Sequence, residues 1–295
     1  MAFAFAPPIP RPNGNSTIQL KFVDDSTKAA SVNLKNSLVP DPKTRVFPLS
    51  YNERTQMVIK PEDNMLQIEL DRFHKEATQN NFVTNQKKTA IMVFNATRIH
   101  AFPPEFRLGD SNILQTKTEH KILGVKVQND LKWGAQIKQM TLKASKKIWL
   151  LRRMKRLGVD DTTIINYWKA EGRCHLEFCA PVWSGGITVA QARDLTRVQR
   201  RAVAAITGDW REDYTAACLR LGIEADLGAR RLKLCKTFAH STATKSRHQD
   251  IFTRLDNPHW TRSGGKTWRD PPCRTRRHLQ SARPYLTRLL NGETK

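Results

Sequence analysis

Ile18-Gln19-Leu20-Lys21-Phe22-Val23-Asp24-Asp25-Ser26-Thr27-Lys28 is the stretch on which the reading of this 295-residue chain turns. Ile18, Leu20 and Phe22 alternate with Gln19 and Lys21, a pattern that predicts a half-buried strand. The strand runs into two adjacent carboxylates, and Ala29-Ala30-Ser31-Val32 can return as a second strand or a short helix. Adjacent Asp residues at the tip of a strand–turn–strand hold oxygen ligands in a fixed place. That suits Mg²⁺ and phosphoryl transfer, with Asp24 and Asp25 as metal ligands. The chain also carries its own control. Asp160-Asp161 stands before Thr162-Thr163-Ile164-Ile165, where acids simply cap a helix and complement its dipole.

Phe22-Val23-Asp24-Asp25 resembles the aromatic-x-Asp-Asp signature of reverse transcriptases, and the order of the downstream blocks narrows the resemblance to the non-LTR (LINE-type) retrotransposon enzymes. Asn81-Phe82-Val83-Thr84-Asn85-Gln86-Lys87-Lys88-Thr89 leads into Ala90-Ile91-Met92-Val93-Phe94, similar to that family's Asn-x-x-Lys-Thr segment and the strand after it. His120-Lys121-Ile122-Leu123-Gly124-Val125-Lys126-Val127 resembles its Leu-Gly primer-grip strand, followed by Asp130-Leu131-Lys132-Trp133. Lys143-Ala144-Ser145-Lys146-Lys147-Ile148-Trp149-Leu150-Leu151-Arg152-Arg153-Met154 resembles the basic thumb helix. Leu176-Glu177-Phe178-Cys179-Ala180-Pro181-Val182-Trp183 and Val198-Gln199-Arg200-Arg201-Ala202 resemble helical segments beyond it.

The resemblance implies an RNA-directed DNA polymerase whose partners are an RNA template and a DNA primer or duplex. Asp24 and Asp25 would be its catalytic Mg²⁺ ligands. Lys88 matches the family lysine proposed to protonate the leaving pyrophosphate, and Leu123 and Gly124 would shape the primer grip. The implied fold class is α+β: a partial palm over 18–127, a helical thumb over 128–210, a post-thumb helical region over 211–259 and a disordered basic tail over 260–295, after an irregular remnant over 1–17. The family also needs an upstream carboxylate and fingers motifs, and residues 1–23 contain no Asp or Glu. The expectation is therefore a truncated C-terminal portion, inactive alone, with weak or no Mg²⁺ binding and a palm sheet left with an exposed edge. The alternative is a non-catalytic module that binds RNA or DNA without sequence preference. The stretch over 35–64, with Pro40, Pro42, Pro48 and Pro61, reads as an insertion without an assigned role.

Composition points the same way. Fifty Lys and Arg against 27 Asp and Glu give a net charge of +23, suited to a polyanionic partner. No apolar run reaches spanning length, so no membrane is expected. Met1-Ala2-Phe3-Ala4-Phe5-Ala6 lacks a basic leader and is broken by Pro7 and Pro8, so no signal peptide is expected, and the family implies an intracellular, nuclear setting. Five cysteines without a Cys-x-x-Cys pair read as reduced thiols, and neither Cys273 with His278 nor Cys174, His175 and Cys179 completes a zinc-ligand pattern.

The charge is concentrated. From 135 to 158 there is no acid, while Lys138, Lys143, Lys146, Lys147, Arg152, Arg153, Lys155 and Arg156 all occur. Ile137, Met140, Ala144, Ile148 and Leu151 recur at helical spacing, so one face packs and the rest is basic, with Gly158 as the stop. So dense a run repels itself unless a polyanion covers it. A second helix is predicted from Thr188 as N-cap to Gly208, carrying Arg193, Arg197, Arg200 and Arg201, and a third over 225–243. Beyond 260, Gly264-Gly265 and Pro271-Pro272 break the chain, while Trp268, Arg274, Arg276, Arg277, Arg283, Tyr285 and Arg288 mix aromatics with cations. That mixture suits base stacking and phosphate contact, or else a cationic tail with no specific site.

Overall fold

The computed structural model describes residues 17–21, 26–30, 38–40, 57–59, 65–85, 89–92, 94, 101–102, 106–109, 112–245, 251–261, 264–273 and 275–293. The chain divides into two compact units, Met1–His120 and Lys121–Lys295. The described residues mix helix and strand, in keeping with an α+β class.

In the first unit, β1 (Thr17–Lys21) and β2 (Ser26–Ala30) pair antiparallel with Lys21 opposite Ser26, so the alternating run is a strand through Lys21 and the chain returns as a second strand. Their connection, residues 22–25, lies outside the described residues, and so do Asp24 and Asp25. β3 (Leu38–Pro40), β4 (Met57–Ile59) and β6 (Ala101–Phe102) form a three-stranded sheet, β5 (Ala90–Ile91) pairs with β9 (Gln115–Thr116), and β7 (Arg107–Leu108) with β8 (Asn112–Ile113). Among the described residues the strands pair in twos and threes, and no pairing joins them into one sheet. A helix not anticipated, α1 (Met65–Gln79), ends with Asn81 in the left-handed conformation while Phe82 N–H reaches back to the Ala77 carbonyl. Gln67 on α1 pairs its carboxamide with both backbone groups of Arg107, at 3.0 and 2.9 Å, and so occupies hydrogen-bonding groups on β7. Among the described residues the core here is Ile91, Phe106, Leu108 and Leu114, with Leu70 packed against them.

The hairpin of β10 (Glu119–Ile122) and β11 (Val125–Gln128) leads into the second unit. Its two-residue turn, Leu123 (φ 48) and Gly124 (φ 89), has positive φ at both positions, the geometry that matches strand twist. Helix α2 (Gly134–Arg156) has no capping side chain of its own. Gln128 Oε1 instead accepts from Ala135 N–H at 2.9 Å, and buried Gln136 accepts from Lys126 N–H at 2.8 Å, which laces the hairpin to the helix start.

Ile137, Met140, Ala144, Ile148 and Leu151 of α2 are buried, as their spacing predicts. α3 (Asp161–Tyr167) is capped by Asp160, which accepts from Thr163 N–H, and runs into a π-helical turn (Trp168–Arg173). Short helices α4 (Cys174–Glu177) and α5 (Ala180–Trp183) follow. α6 (Val189–Thr207) opens on a full capping box between Thr188 and Gln191 and stops at Gly208, φ 80, the two ends expected from sequence. α7 (Tyr214–Arg220) and α8 (Leu227–Ala243) complete the middle of the unit. α2 and α6 run side by side in the same direction, with Gly134 beside Gln191 and Gly208 beside Lys155.

The expected disordered tail is corrected. β12 (Arg254–Thr261) pairs with β13 (Gly264–Trp268), and two helices follow, α9 (Arg276–Leu279) and α10 (Ala282–Leu290). Leu286 and Leu289 are buried in the same cluster as Leu151, Trp168, Trp183, Leu195, Ile206 and Leu227. The expected thumb, post-thumb and tail segments therefore share one core. The physical reason is local: α10 buries Pro284, Leu286, Thr287 and Leu289 around more than half of its circumference, enough surface to dock nine residues despite their arginines. Asn291 then ties the end down, accepting from Thr267 and Trp268 N–H and donating to the Trp268 carbonyl.

Candidate nucleic-acid interface

Helix α2 sets the geometry. At 100° per residue its buried seam points one way, and Lys138, Leu142, Lys146, Trp149, Arg153 and Arg156 fall within an arc of about 80° on the far side. All six are exposed. Lys138 and Lys146 have no carboxylate partner among the described residues. Arg153 lays its guanidinium over the Trp149 ring at 5.5 Å, and Arg156 Nε makes only a long bond to the Arg152 carbonyl at 3.4 Å. No acid occurs on this helix, so the face carries cations without counter-charge.

The other candidate cations of α2 differ. Lys147 turns toward the π-helical turn and pairs with Glu171 at 2.9 Å. That bond raises the Lys147 ammonium and lowers the Glu171 carboxyl from their ordinary values. Lys143 lies on the same flank: burial first, then the charges of Lys143 and Lys147, pushes the His175 imidazole below its usual range. Arg152 is exposed on the opposite flank of the basic face. Lys155 is held by Asp161 at 2.7 Å. The eight cations of α2 therefore divide into four on the outward arc, two on its flanks (Lys143 and Arg152) and a structurally engaged pair, Lys147 and Lys155.

α6 presents a second, thinner basic edge. Arg197 pairs with Asp194 at 3.2 Å and Arg200 lies over the Tyr214 ring at 4.9 Å, while Arg193 and Arg201 are exposed and have no acid partner among the described residues. Two other arginines are cement. Arg173 and Arg230 both reach Glu177, itself only 12% exposed, and Arg230 also reaches Glu224 at 3.5 Å.

Leu123 and Gly124 form the hairpin turn, where a Cβ on Gly124 would lie 3.1 Å from the Phe178 ring. Arg276 and Arg277 are exposed on α9, and the charge of Arg277 helps Lys132 hold Asp130 low against the raising effect of burial. Trp268 is not free for stacking. It is half-buried against the helical core, edge-on to Phe252 with ring centres 6.4 Å apart. Tyr285 packs against the same core, its ring where a Cβ on Gly185 would be 2.6 Å away. Asp24, Asp25, Lys88 and Arg274 lie outside the described residues, and the Mg²⁺ expectation with them.

Two exposed tryptophans are not among the candidate binding residues read from the sequence: Trp149 at 60% and Trp210 at 77%, each with an arginine over its ring, Arg153 and Arg211. For Trp149 the signal is present. It sits one residue after Ile148 of the buried seam and seven after Leu142, which places both on the outward arc.

Among the described residues no helix is long and apolar enough to cross a membrane. Comparison with family models, curated proteins and solved structures finds no match to this chain.

Proposed function

We propose that this chain handles nucleic acid as part of an RNA-directed DNA polymerase of the non-LTR retrotransposon kind, in a nuclear setting, and that Lys121–Lys295 is its phosphate-gripping portion. The family half of this reading is supported by the order of the sequence blocks from Phe22-Val23-Asp24-Asp25 to Val198-Gln199-Arg200-Arg201-Ala202. In it Asp24 and Asp25 hold Mg²⁺, Lys88 gives a proton to the departing pyrophosphate, and the template and primer are the partners. The gripping half rests on one observation, the exposed face of α2 whose cations have no counter-charge among the described residues. It stands without the Asp pair, so a binding module with no chemistry of its own is the second reading.

Lysines and arginines that neutralise phosphates release condensed counterions, so affinity falls with a slope near 0.9 log units per log unit of salt for each duplex phosphate contacted. Replacing Lys138, Lys146 and Arg156 together by Ala should flatten the slope by about one unit for each phosphate no longer neutralised. Lys147→Ala, which removes a cation already neutralised by Glu171, should leave it nearly unchanged. Affinity indifferent to salt, or equal slopes for the triple variant and the unaltered chain, would show that the basic face is only a solvated surface.

A further inference from the structure

The outward face of α2 is not merely basic. Between Lys138 and Arg156, a distance of roughly 27 Å at 1.5 Å per residue, it carries two large exposed apolar side chains, Leu142 (55%) and Trp149 (60%). Among the described residues the buried seam of the helix is complete without Trp149. A single exposed apolar side chain is ordinary on a protein surface, and what sets Trp149 apart is the cations that share its arc. Lys146 precedes it by less than a turn, and Arg153 covers part of its ring.

Resting on the gripping reading above, we infer that this face takes an unpaired stretch of RNA or DNA, with a base stacked on Trp149 and the flanking phosphates held by Lys138, Lys146, Arg153 and Arg156. The chemistry selects the occupant. A flat π-surface among cations, on a helix that carries no acid, matches a strand that offers a base face and a phosphate at each step. A duplex hides its base faces and can use only the cations. A protein helix docked in a groove is read through several apolar anchors at i, i+3, i+4 and i+7. Here the two apolar residues are seven apart, and the positions between them on the arc are cationic. Leu142 borders the platform on its N-terminal side, where it bounds the stacked base without specifying it. The contact is therefore indifferent to which base is present.

The test uses the full chain and measures binding of four oligomers of equal length: oligo(U), oligo(dT), an abasic deoxyribose-phosphate strand and a blunt duplex. Trp149→Ala should weaken oligo(U) and oligo(dT) binding by roughly 5- to 150-fold, the range that stacking of one base supports. It should leave the abasic strand and the duplex within twofold, and Trp149→Phe should recover most of the loss. Equal losses on all four ligands, or no loss on the unpaired strands, overturn the inference. If the unaltered chain binds with steep salt dependence yet ignores Trp149→Ala, this inference fails and the phosphate grip stands. If it binds none of the four, both fail. Binding of an acidic amphipathic peptide that is lost in Trp149→Ala while oligo(U) binding is retained would assign the face to a protein and overturn it as well.

Discussion

Tyr214 shows how one side chain links a basic surface to the core beneath it. Its hydroxyl donates to the Ala225 carbonyl at 2.7 Å and accepts from Gln199 Nε2 at 2.8 Å, while Arg200 covers its ring. Gln199 is itself buried and bonds the Glu224 carbonyl, so the phenol joins α6 to the loop before α8. Burial disfavours the phenolate and pushes the hydroxyl up to about 12 from its ordinary 10. The sign follows from linkage. Between those values the unfolded chain releases this proton and the folded chain keeps it, so the stabilisation is complete below pH 10 and is lost as pH rises toward 12. Tyr214→Phe should lower stability at neutral pH, because Gln199 and the Ala225 carbonyl are each deprived of a partner, yet it should flatten the alkaline decline. Denaturant midpoints at neutral and alkaline pH check this, and an unchanged alkaline decline in the variant would place its origin elsewhere. Like Leu131 at φ 56, Leu123 is one of the residues where local preference and structure conflict. A left-handed leucine costs about 1–2 kcal/mol, and Asn or Gly is the ordinary occupant of that turn position.

Helix α2 divides its work by face, and adjacent residues separate the two tasks. Ile148 is buried and Trp149, one residue on, is exposed. Ile148→Ala should cost about 2–5 kcal/mol of stability, whereas Trp149→Ala should stay within about 0.5 kcal/mol. Thermal or denaturant unfolding of the two variants checks the split, and a large loss in Trp149→Ala would mean that its ring supports the fold. At this scale much is legible in the sequence. The ends of α6 are written in Thr188 and Gly208, the end of α2 in Gly158, and the cap of α3 in Asp160, because each is a local chemical signal. The illegible part depends on residues far apart in sequence. Lys147 looks like its neighbours until Glu171 is brought beside it, and Trp268 looks free for stacking until Phe252 and Asn291 are. The tail reads as disordered because Gly264-Gly265 and Pro271-Pro272 punctuate it, while α10 is only nine residues long and folds by docking rather than by propensity. Residues 65–79 do carry a signal, since Leu70, Phe73 and Ala77 recur at helical spacing, and it is fainter than that of the basic helices. Of the proposed chemistry only the β1–β2 pairing that flanks Asp24 and Asp25 is described.

For the molecule as a whole, one quantity pulls two measurable properties in opposite directions. A net charge of +23 favours every encounter with a polyanion and opposes every compact state of the chain itself. The ion pairs of the second unit relieve little of this. Glu177, Glu171, Asp161 and Glu212 neutralise cations that are already bound into the fold, while the outward arc of α2 keeps its charges close together. At low ionic strength the Debye length exceeds the spacing of those cations, and at about 0.15 M it shrinks to roughly 8 Å. Added salt should therefore raise the melting temperature of the free chain as self-repulsion is screened, over the same range in which it weakens binding to oligo(dT). A saturating oligonucleotide at low salt should raise the melting temperature further, since a ligand held by the folded state stabilises it by mass action. The Lys138, Lys146 and Arg156 triple variant should show less of both effects, because it removes three of the repelling charges and, with them, three of the groups that hold phosphate. A melting temperature that falls with salt would mean that surface ion pairs, not repulsion, dominate the electrostatics of the fold. The basic face would then have no physical reason to require a polyanion.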